Sequence, residues 1–225
     1  MATYLITGVS RGVGNVLARM LLDQGHRILG VARGPVPDLA LTGLATLELT
    51  DFDGYPAALA GLLAELDGSA GLDGLVHCAG ALRAGQLAEQ DSAVLTELFA
   101  TNVTAAAELV RHFLTALRAA RGTVVLVNSG SGLAVRPPLS AYGMSKFALR
   151  GYADALRQEE PALRVSTIYP GRIDTAMQQE VRAAEAGDYQ VADYLRPETV
   201  AGLIATVLAL PADATVTELT VRPRS

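Results

Sequence analysis

Two side chains in this 225-residue sequence are spaced for proton chemistry. Tyr142 and Lys146 stand four positions apart in Tyr142-Gly143-Met144-Ser145-Lys146, and residues at i and i+4 share one face of a helix. A tyrosine ordinarily ionises near pH 10, and an ammonium beside it favours the phenolate. Bringing the phenol to a pKa of about 7 takes roughly 4 kcal/mol. One charge at about 4 Å supplies roughly that in a partly shielded site. The pair therefore predicts a phenol that gives and takes a proton. Thirteen residues upstream, in Asn128-Ser129-Gly130-Ser131-Gly132, Ser129 ends an apolar run. A hydroxyl there can hold an oxygen on which charge develops. Ser131 competes for the same place.

A second group of residues has the form of a phosphate site. Thr7-Gly8-Val9-Ser10-Arg11-Gly12-Val13-Gly14 follows a strand pattern and precedes a helical one, which is the context a dinucleotide loop requires. Its glycines let the backbone turn tightly and approach a phosphate. The N–H groups at the helix start then attract an anion. The next strand pattern ends Val31-Ala32-Arg33, with no acid at its tip. A carboxylate at such a tip holds a free ribose hydroxyl, whereas a guanidinium attracts the additional phosphate of NADP. Arg33, with Arg11 in the glycine loop, predicts NADP(H).

The elements that must position these groups are short apolar runs alternating with longer helical patterns. The periodicity predicts strands over Thr3–Thr7, Arg27–Ala32, Ala45–Glu48, Leu72–His77, Gly122–Asn128, Leu163–Tyr169 and Thr215–Val221. It predicts helices over Val13–Gln24, Tyr55–Leu66, about Asp91–Ala120, about Ala141–Glu159 and Pro197–Leu210. Gly34-Pro35-Val36-Pro37 reads as a loop. Strands alternating with helices imply βαβ units, with helices on both faces of a mostly parallel sheet and a ligand crevice beyond the carboxyl ends of its strands. The expectation is α/β: a single doubly wound Rossmann domain over 1–225, with about seven strands in the order 3-2-1-4-5-6-7.

Composition narrows the function. Half the residues are hydrophobic and 18% are charged, the balance of a packed globular protein. The net charge is -5 and no basic run exists, which argues against nucleic acid. The single cysteine, Cys78, cannot form an internal disulfide. No basic segment precedes an apolar one near Met1, and no apolar stretch reaches the roughly 18 to 20 residues of a membrane helix. A cytoplasmic protein is expected. His77 has no second metal-type ligand at a useful spacing, so no metal is expected.

The spacing Thr-Gly-x-x-x-Gly-x-Gly, the Tyr-x-x-x-Lys pair and the Pro-Gly-x-x-x-Thr of Pro170–Thr175 fall in one order over about residues 3 to 222. Together they resemble the short-chain dehydrogenase/reductase family, in its NADP(H)-preferring form. The resemblance implies hydride transfer between nicotinamide and a small-molecule carbonyl or alcohol. Tyr142 is then the general acid and base, and Lys146 tunes it and grips the nicotinamide ribose. Ser129, favoured over Ser131 by its spacing to Tyr142 and Gly132, holds the substrate oxygen, and Asn102 supports a proton path. The implied cofactor contacts are Gly8, Ser10, Arg11, Gly12, Val13, Gly14, Arg33, Cys78, Ala79, Gly80, Asn102, Tyr142, Lys146, Pro170, Gly171, Ile173 and Thr175. Glu48 and Leu49 join them at the adenine, Glu48 standing where the family commonly has Asp. His77-Cys78-Ala79-Gly80 replaces the frequent Asn-Asn-Ala-Gly, and His77 reads as structural.

The expected substrate walls are Leu82, Leu133, Val135, Leu139, Met177, Val181 and Tyr189. The segment after Thr175 is short for the family, which implies a small lid. Arg83, Arg136 and Arg172 could meet an acidic substrate, though solvated arginines are the simpler expectation. Val94, Leu95, Leu98, Phe99, Leu109, Phe113, Phe147, Leu149 and Tyr152 exceed what one buried face needs. The family pairs these helices between subunits, so a homodimer or homotetramer is implied. The chain ends Leu219-Thr220-Val221-Arg222-Pro223-Arg224-Ser225, unlike the glycine-terminated ending of many tetramers. The alternatives are a non-catalytic NADP(H)-binding sensor, which would have no need to keep Ser129, Tyr142 and Lys146 together, and a related enzyme such as an epimerase.

Overall fold

Seven parallel strands form one sheet: β1 (Thr3–Thr7), β2 (Arg27–Ala32), β3 (Gly43–Thr46), β4 (Gly74–His77), β5 (Thr123–Val127), β6 (Arg164–Pro170) and β7 (Glu218–Val221). Their order is β3-β2-β1-β4-β5-β6-β7. This is a computed structural model, and it describes residues 1–36, 38–66, 71–185 and 187–224. Pro37, the last residue of the expected loop, lies outside them. β1 and β5 are buried along their whole length. Strands covered on both faces read as continuous apolar runs rather than alternating ones, which is how Val124-Val125-Leu126-Val127 reads.

The helices are α1 (Gly12–Asp23), α2 (Tyr55–Ala64), α3 (Ser92–Phe99), α4 (Ala105–Ala120), α5 (Ser140–Glu159), α6 (Ala176–Ala184) and α7 (Pro197–Leu208). On one face Leu17 and Leu21 of α1 pack with Val200 and Ile204 of α7 against Ile6, Ile28 and Val125. On the other, Leu59 of α2, Phe113 of α4 and Leu149 of α5 pack against Leu5, Leu75 and Val124. The helix ends follow local chemistry. Gly25, at φ 80, donates to Leu22 O and stops α1. Pro197 opens α7, where its missing N–H costs nothing.

The register places the site. Thr7 lies beside His77, His77 beside Leu126 and Val127 beside Ile168. The chain therefore leaves β1, β4, β5 and β6 at one edge of the sheet, bringing the glycine loop, Cys78–Gly80, Asn128–Ser129 and Pro170–Gly171 together.

Several expectations need correction. β3 lies two residues earlier than Ala45–Glu48. It pairs Gly43 to Thr46 with Leu29 to Ala32, and the ladder ends where Leu47 N donates to Ala32 O at 2.9 Å. The segment after Thr175 forms α6. The long helix is interrupted by a π turn at Ala100–Thr104. The stretch Ser92–Ala120 is long and apolar enough to cross a membrane by length and composition, contrary to the sequence reading. Leu98, Leu109, Phe113 and Leu117, however, are wholly buried in this chain. With Leu149, also buried, the residues Leu98, Leu109 and Phe113 are therefore core and not surplus surface. Phe147 and Met144 stay exposed.

Candidate active site

Beyond the carboxyl ends of the strands opens a cleft of about 1240 Å³. Small-molecule sites commonly hold about 300–1,000 Å³, so this one has room for a dinucleotide and a second ligand. Every residue expected from sequence as a cofactor contact or reacting group lines it, save Asn102.

The glycine loop is shaped by positive φ at Gly8 (73°) and Gly12 (61°), a region that favours glycine. Gly14 lets α1 seat on the end of β1: a Cβ there would lie 2.5 Å from Gly8 O and 2.8 Å from Thr7 O. Asn15, which sequence reading passed over, donates from Nδ2 to Val9 O at 2.8 Å and braces the loop from inside α1. Arg11 and Arg33 are exposed on the cleft wall, and neither forms an ion pair among the described residues. Glu48 and Leu49 share that end of the cleft.

The reacting groups converge from three elements. Ser129 follows β5, with its Oγ accepting from Ser131 N at 3.1 Å, and its hydroxyl is close enough to that of Tyr142 to favour the phenolate. Ser129, and not Ser131, is the serine that acts on the phenol. Tyr142 and Lys146 lie on α5, both at least nine-tenths buried. Lys146 Nζ donates to Val127 O at 3.1 Å and sits 5.8 Å from the Tyr142 ring centroid. This arrangement changes the expected electrostatics. The ammonium, set over the ring, brings no lowering of the phenol's pKa. Burial therefore wins and pushes the Tyr142 pKa up to about 12, with the Ser129 hydroxyl pulling the other way. The phenol holds its proton at neutral pH instead of approaching a pKa of 7. Burial also brings Lys146 down to about 8. Cys78 itself is pushed up to about 12 by burial, so it stays a neutral thiol.

Two amides hold this arrangement. Asn128 Nδ2 donates to Lys146 O at 3.0 Å and its Oδ1 accepts from Ser129 N at 2.8 Å, tying β5 to α5. Sequence reading named Asn128 only as a neighbour, although a buried amide directly after an apolar strand was its signal. Asn102, placed by the π turn, is fully buried. Its Oδ1 accepts from Ala81 N at 2.8 Å, and its Nδ2 donates to Ala81 O and to Ser145 Oγ, each at 2.9 Å. It stands behind Gly80, where a Cβ would meet its Oδ1 at 3.1 Å. The expected cofactor contact at Asn102 is not on the cleft wall, because its side chain is committed to clamping the loop after β4 to α5.

The walls toward the reacting groups include Leu82, Leu133, Leu139, Met177 and Val181. Val135 and Tyr189 are not among them. Val135 covers Gly143, and Tyr189 stacks on Tyr194 at 4.6 Å and donates to Asp174. Thr175 caps α6 by accepting from Gln178 N. Arg83 and Arg172 are paired with Glu97 and Glu185, each at 2.6 Å. Arg222, also overlooked in the sequence, reaches the cleft from the end of β7. His77 is wholly buried behind this floor. Its Nδ1 contacts Thr7 Oγ1 at 3.3 Å, and its buried Nε2 has no hydrogen-bond partner among the described residues.

A family model described as short chain dehydrogenase matches residues 2–186. An uncharacterised short-chain type dehydrogenase/reductase of Sinorhizobium fredii is 30% identical, over 97% of this chain and 90% of its own length. Among solved structures, an alcohol dehydrogenase from Thermococcus sibiricus, complexed with 5-hydroxy-NADP, superposes with a TM-score of 0.87 at 22% identity, over 99% of this chain and 97% of that one. A 4-hydroxyisoleucine dehydrogenase complexed with NADH superposes with a TM-score of 0.81 at 19% identity, over 99% and 98%. At these identities the solved structures speak to the fold.

Proposed function

The chain belongs to the short-chain dehydrogenase/reductase family, and from that premise we propose that it is an NADPH-dependent carbonyl reductase, reversible toward the alcohol. The observation that carries this reading is the convergence of Ser129, Tyr142 and Lys146 on one cleft wall, with Lys146 Nζ 5.8 Å from the Tyr142 ring centroid one helical turn on. The cleft fits a dinucleotide: its glycine loop has two positive-φ glycines at a helix start, and its Arg11 and Arg33 offer guanidiniums without carboxylate partners among the described residues. When bound, the cofactor supplies the hydride.

The protein's part is to orient and to move a proton. Ser129 holds the carbonyl oxygen as charge grows on it. Tyr142, which burial keeps protonated, donates its phenolic proton to that oxygen. Lys146 stabilises the phenolate left behind and grips the nicotinamide ribose. Asn102 and Asn128 fix the loop, the serine and α5 in place. Arg33 at the tip of β2, with Arg11, reads the 2′-phosphate, and Glu48 and Leu49 receive the adenine. The same groups run the oxidation in reverse.

Exposed Met144 and Phe147 on α5 support a subunit contact through residues 91–120 and 141–159, as a homodimer or homotetramer. The lone Cys78 supports a cytoplasmic location. Steady-state NADPH consumption with a panel of aldehydes and ketones tests the reading. Tyr142→Phe is expected to lower kcat by at least about a hundredfold, the scale of general acid catalysis, while NADPH still binds. Unchanged turnover in that variant, or no turnover in the parent, overturns it.

A further inference from the structure

We propose that the substrate bears an anionic group in addition to its carbonyl, and that Arg222 and Arg136 recognise it; this rests on the reductase reading above. The chain as a whole carries -5, yet six arginines and five carboxylates line the cleft. Most of these charges are already accounted for. Arg83 is paired with Glu97, and Arg172 with Glu185. Arg11, Arg33 and Glu48 belong to the end of the cleft assigned to the nucleotide. Arg136 and Arg222 are left with Asp174 and Glu180, and none of these four forms an ion pair among the described residues.

Arg222 is the better placed of the two. Its Nη1 donates to Tyr169 O at 2.7 Å and to Val221 O at 3.0 Å, which pins the guanidinium against the ends of β6 and β7. Its Nη2 points at the turn that carries Ser129, lying 3.1 Å from where a Cβ on Gly130 would be. A guanidinium held by one nitrogen keeps further N–H groups for a ligand and loses little freedom when it binds. Arg136 sits in the loop into α5, where its carbonyl accepts from Leu139 N at 2.9 Å, six residues before Tyr142. A carbonyl seated on Ser129 and Tyr142 shares its cleft with two guanidiniums that have no carboxylate partner among the described residues, and such groups bind carboxylate or phosphate through paired charge-assisted hydrogen bonds.

The test compares matched substrates with NADPH: 4-oxopentanoate against its methyl ester, and dihydroxyacetone phosphate against dihydroxyacetone. The parent is expected to favour the anion of at least one pair by about tenfold or more in kcat/KM, the scale of one charge-assisted contact, and the pair that shows it tells carboxylate from phosphate. The preference should shrink as salt rises from 0.02 to 0.5 M, roughly the range over which exposed charges become screened. In Arg136→Gln/Arg222→Gln the ratio should fall to about 1, with partial recovery in Arg136→Lys/Arg222→Lys, which keeps the charge. The single variant Arg136→Gln and the salt series decide the matter if loss of Arg222 unfolds the chain. A neutral preference in both pairs, or a ratio indifferent to the glutamine substitutions and to salt, overturns the proposal. Should no carbonyl in either pair, nor any in the panel of aldehydes and ketones, be reduced, the reductase reading fails. Calorimetry on the NADP-loaded protein then decides the anion site: tighter binding of pentanoate than of pentanamide supports it, and equal binding overturns it.

Discussion

His77→Asn should flatten the acid side of this protein's stability curve. His77 is fully buried at the end of β4. Burial, with the Lys146 ammonium nearby, lowers its pKa from 6.5 to about 3. Between those two values the unfolded chain binds a proton that the folded chain refuses, so stability falls as pH drops below about 6.5, by up to roughly 1.4 kcal/mol per pH unit, and levels off near the folded pKa. At pH 5 the loss relative to pH 7 is about 2 kcal/mol. That figure barely depends on the folded value, because a ring with any pKa below about 4 is already neutral at pH 5. With an unfolding entropy of about 2.1 cal/mol/K per residue, a chain this long shifts its Tm by about 4 °C for 2 kcal/mol. The assay is thermal unfolding of the parent and His77→Asn at pH 7, 6 and 5 at constant ionic strength. Asparagine does not titrate, so whatever offset separates the two proteins at pH 7 should move by about 4 °C in the variant's favour at pH 5. Parallel curves would refute the argument, for they would mean that the folded ring takes its proton as readily as the unfolded one.

Gly14→Ala drives a methyl group onto the backbone oxygens of Gly8 and Thr7. It should cost about 1–3 kcal/mol and weaken NADPH binding, whereas Gly61→Ala, in open space on α2, should add about 0.5–1 kcal/mol by helix propensity; urea unfolding distinguishes the two, and equal effects would contradict the packing. Arg33→Asp should reduce kcat/KM for NADPH by about tenfold or more and improve that for NADH, and an unaltered ratio removes Arg33 from phosphate recognition. The reduction should lose kcat/KM as pH rises through about 8, where Lys146 gives up its proton; a profile flat to pH 9.5 would show that its charge is not used.

Much of the fold could be read from the sequence because a parallel sheet buried on both faces leaves blunt apolar runs, and because glycine and proline punctuate the ends. What escaped is instructive. β3 was displaced by two residues, since its position is fixed by pairing of Gly43 with Leu29 and not by its own hydrophobicity. α6 was missed although Thr175-Ala176-Met177-Gln178 has the spacing of a capping box, and Thr175 does cap it. The glycine loop, Ser129, Tyr142 and Lys146 were legible as chemistry at strand ends. The phenol's ionisation was not, because it depends on where the ammonium points and how dry the site is. Arg222 was equally hidden: only the proximity of β7's end to Gly130 and Gly171 makes a C-terminal arginine part of the cleft.

The π turn at Ala100–Thr104 constrains the chain by length as much as by residue type. An α-helix advances about 100° per residue, so one extra residue rotates the faces of Ser92–Phe99 against those of Ala105–Ala120 by about that angle. Deleting any one of the four residues there other than Asn102 should give a seamless helix and unclasp Asn102 from Ala81, even though both partners of the clasp remain in the chain. Indels in those five positions should be harsher than point changes at exposed Thr104. An ungapped alignment to a relative lacking the turn would pair the wrong residues upstream of it.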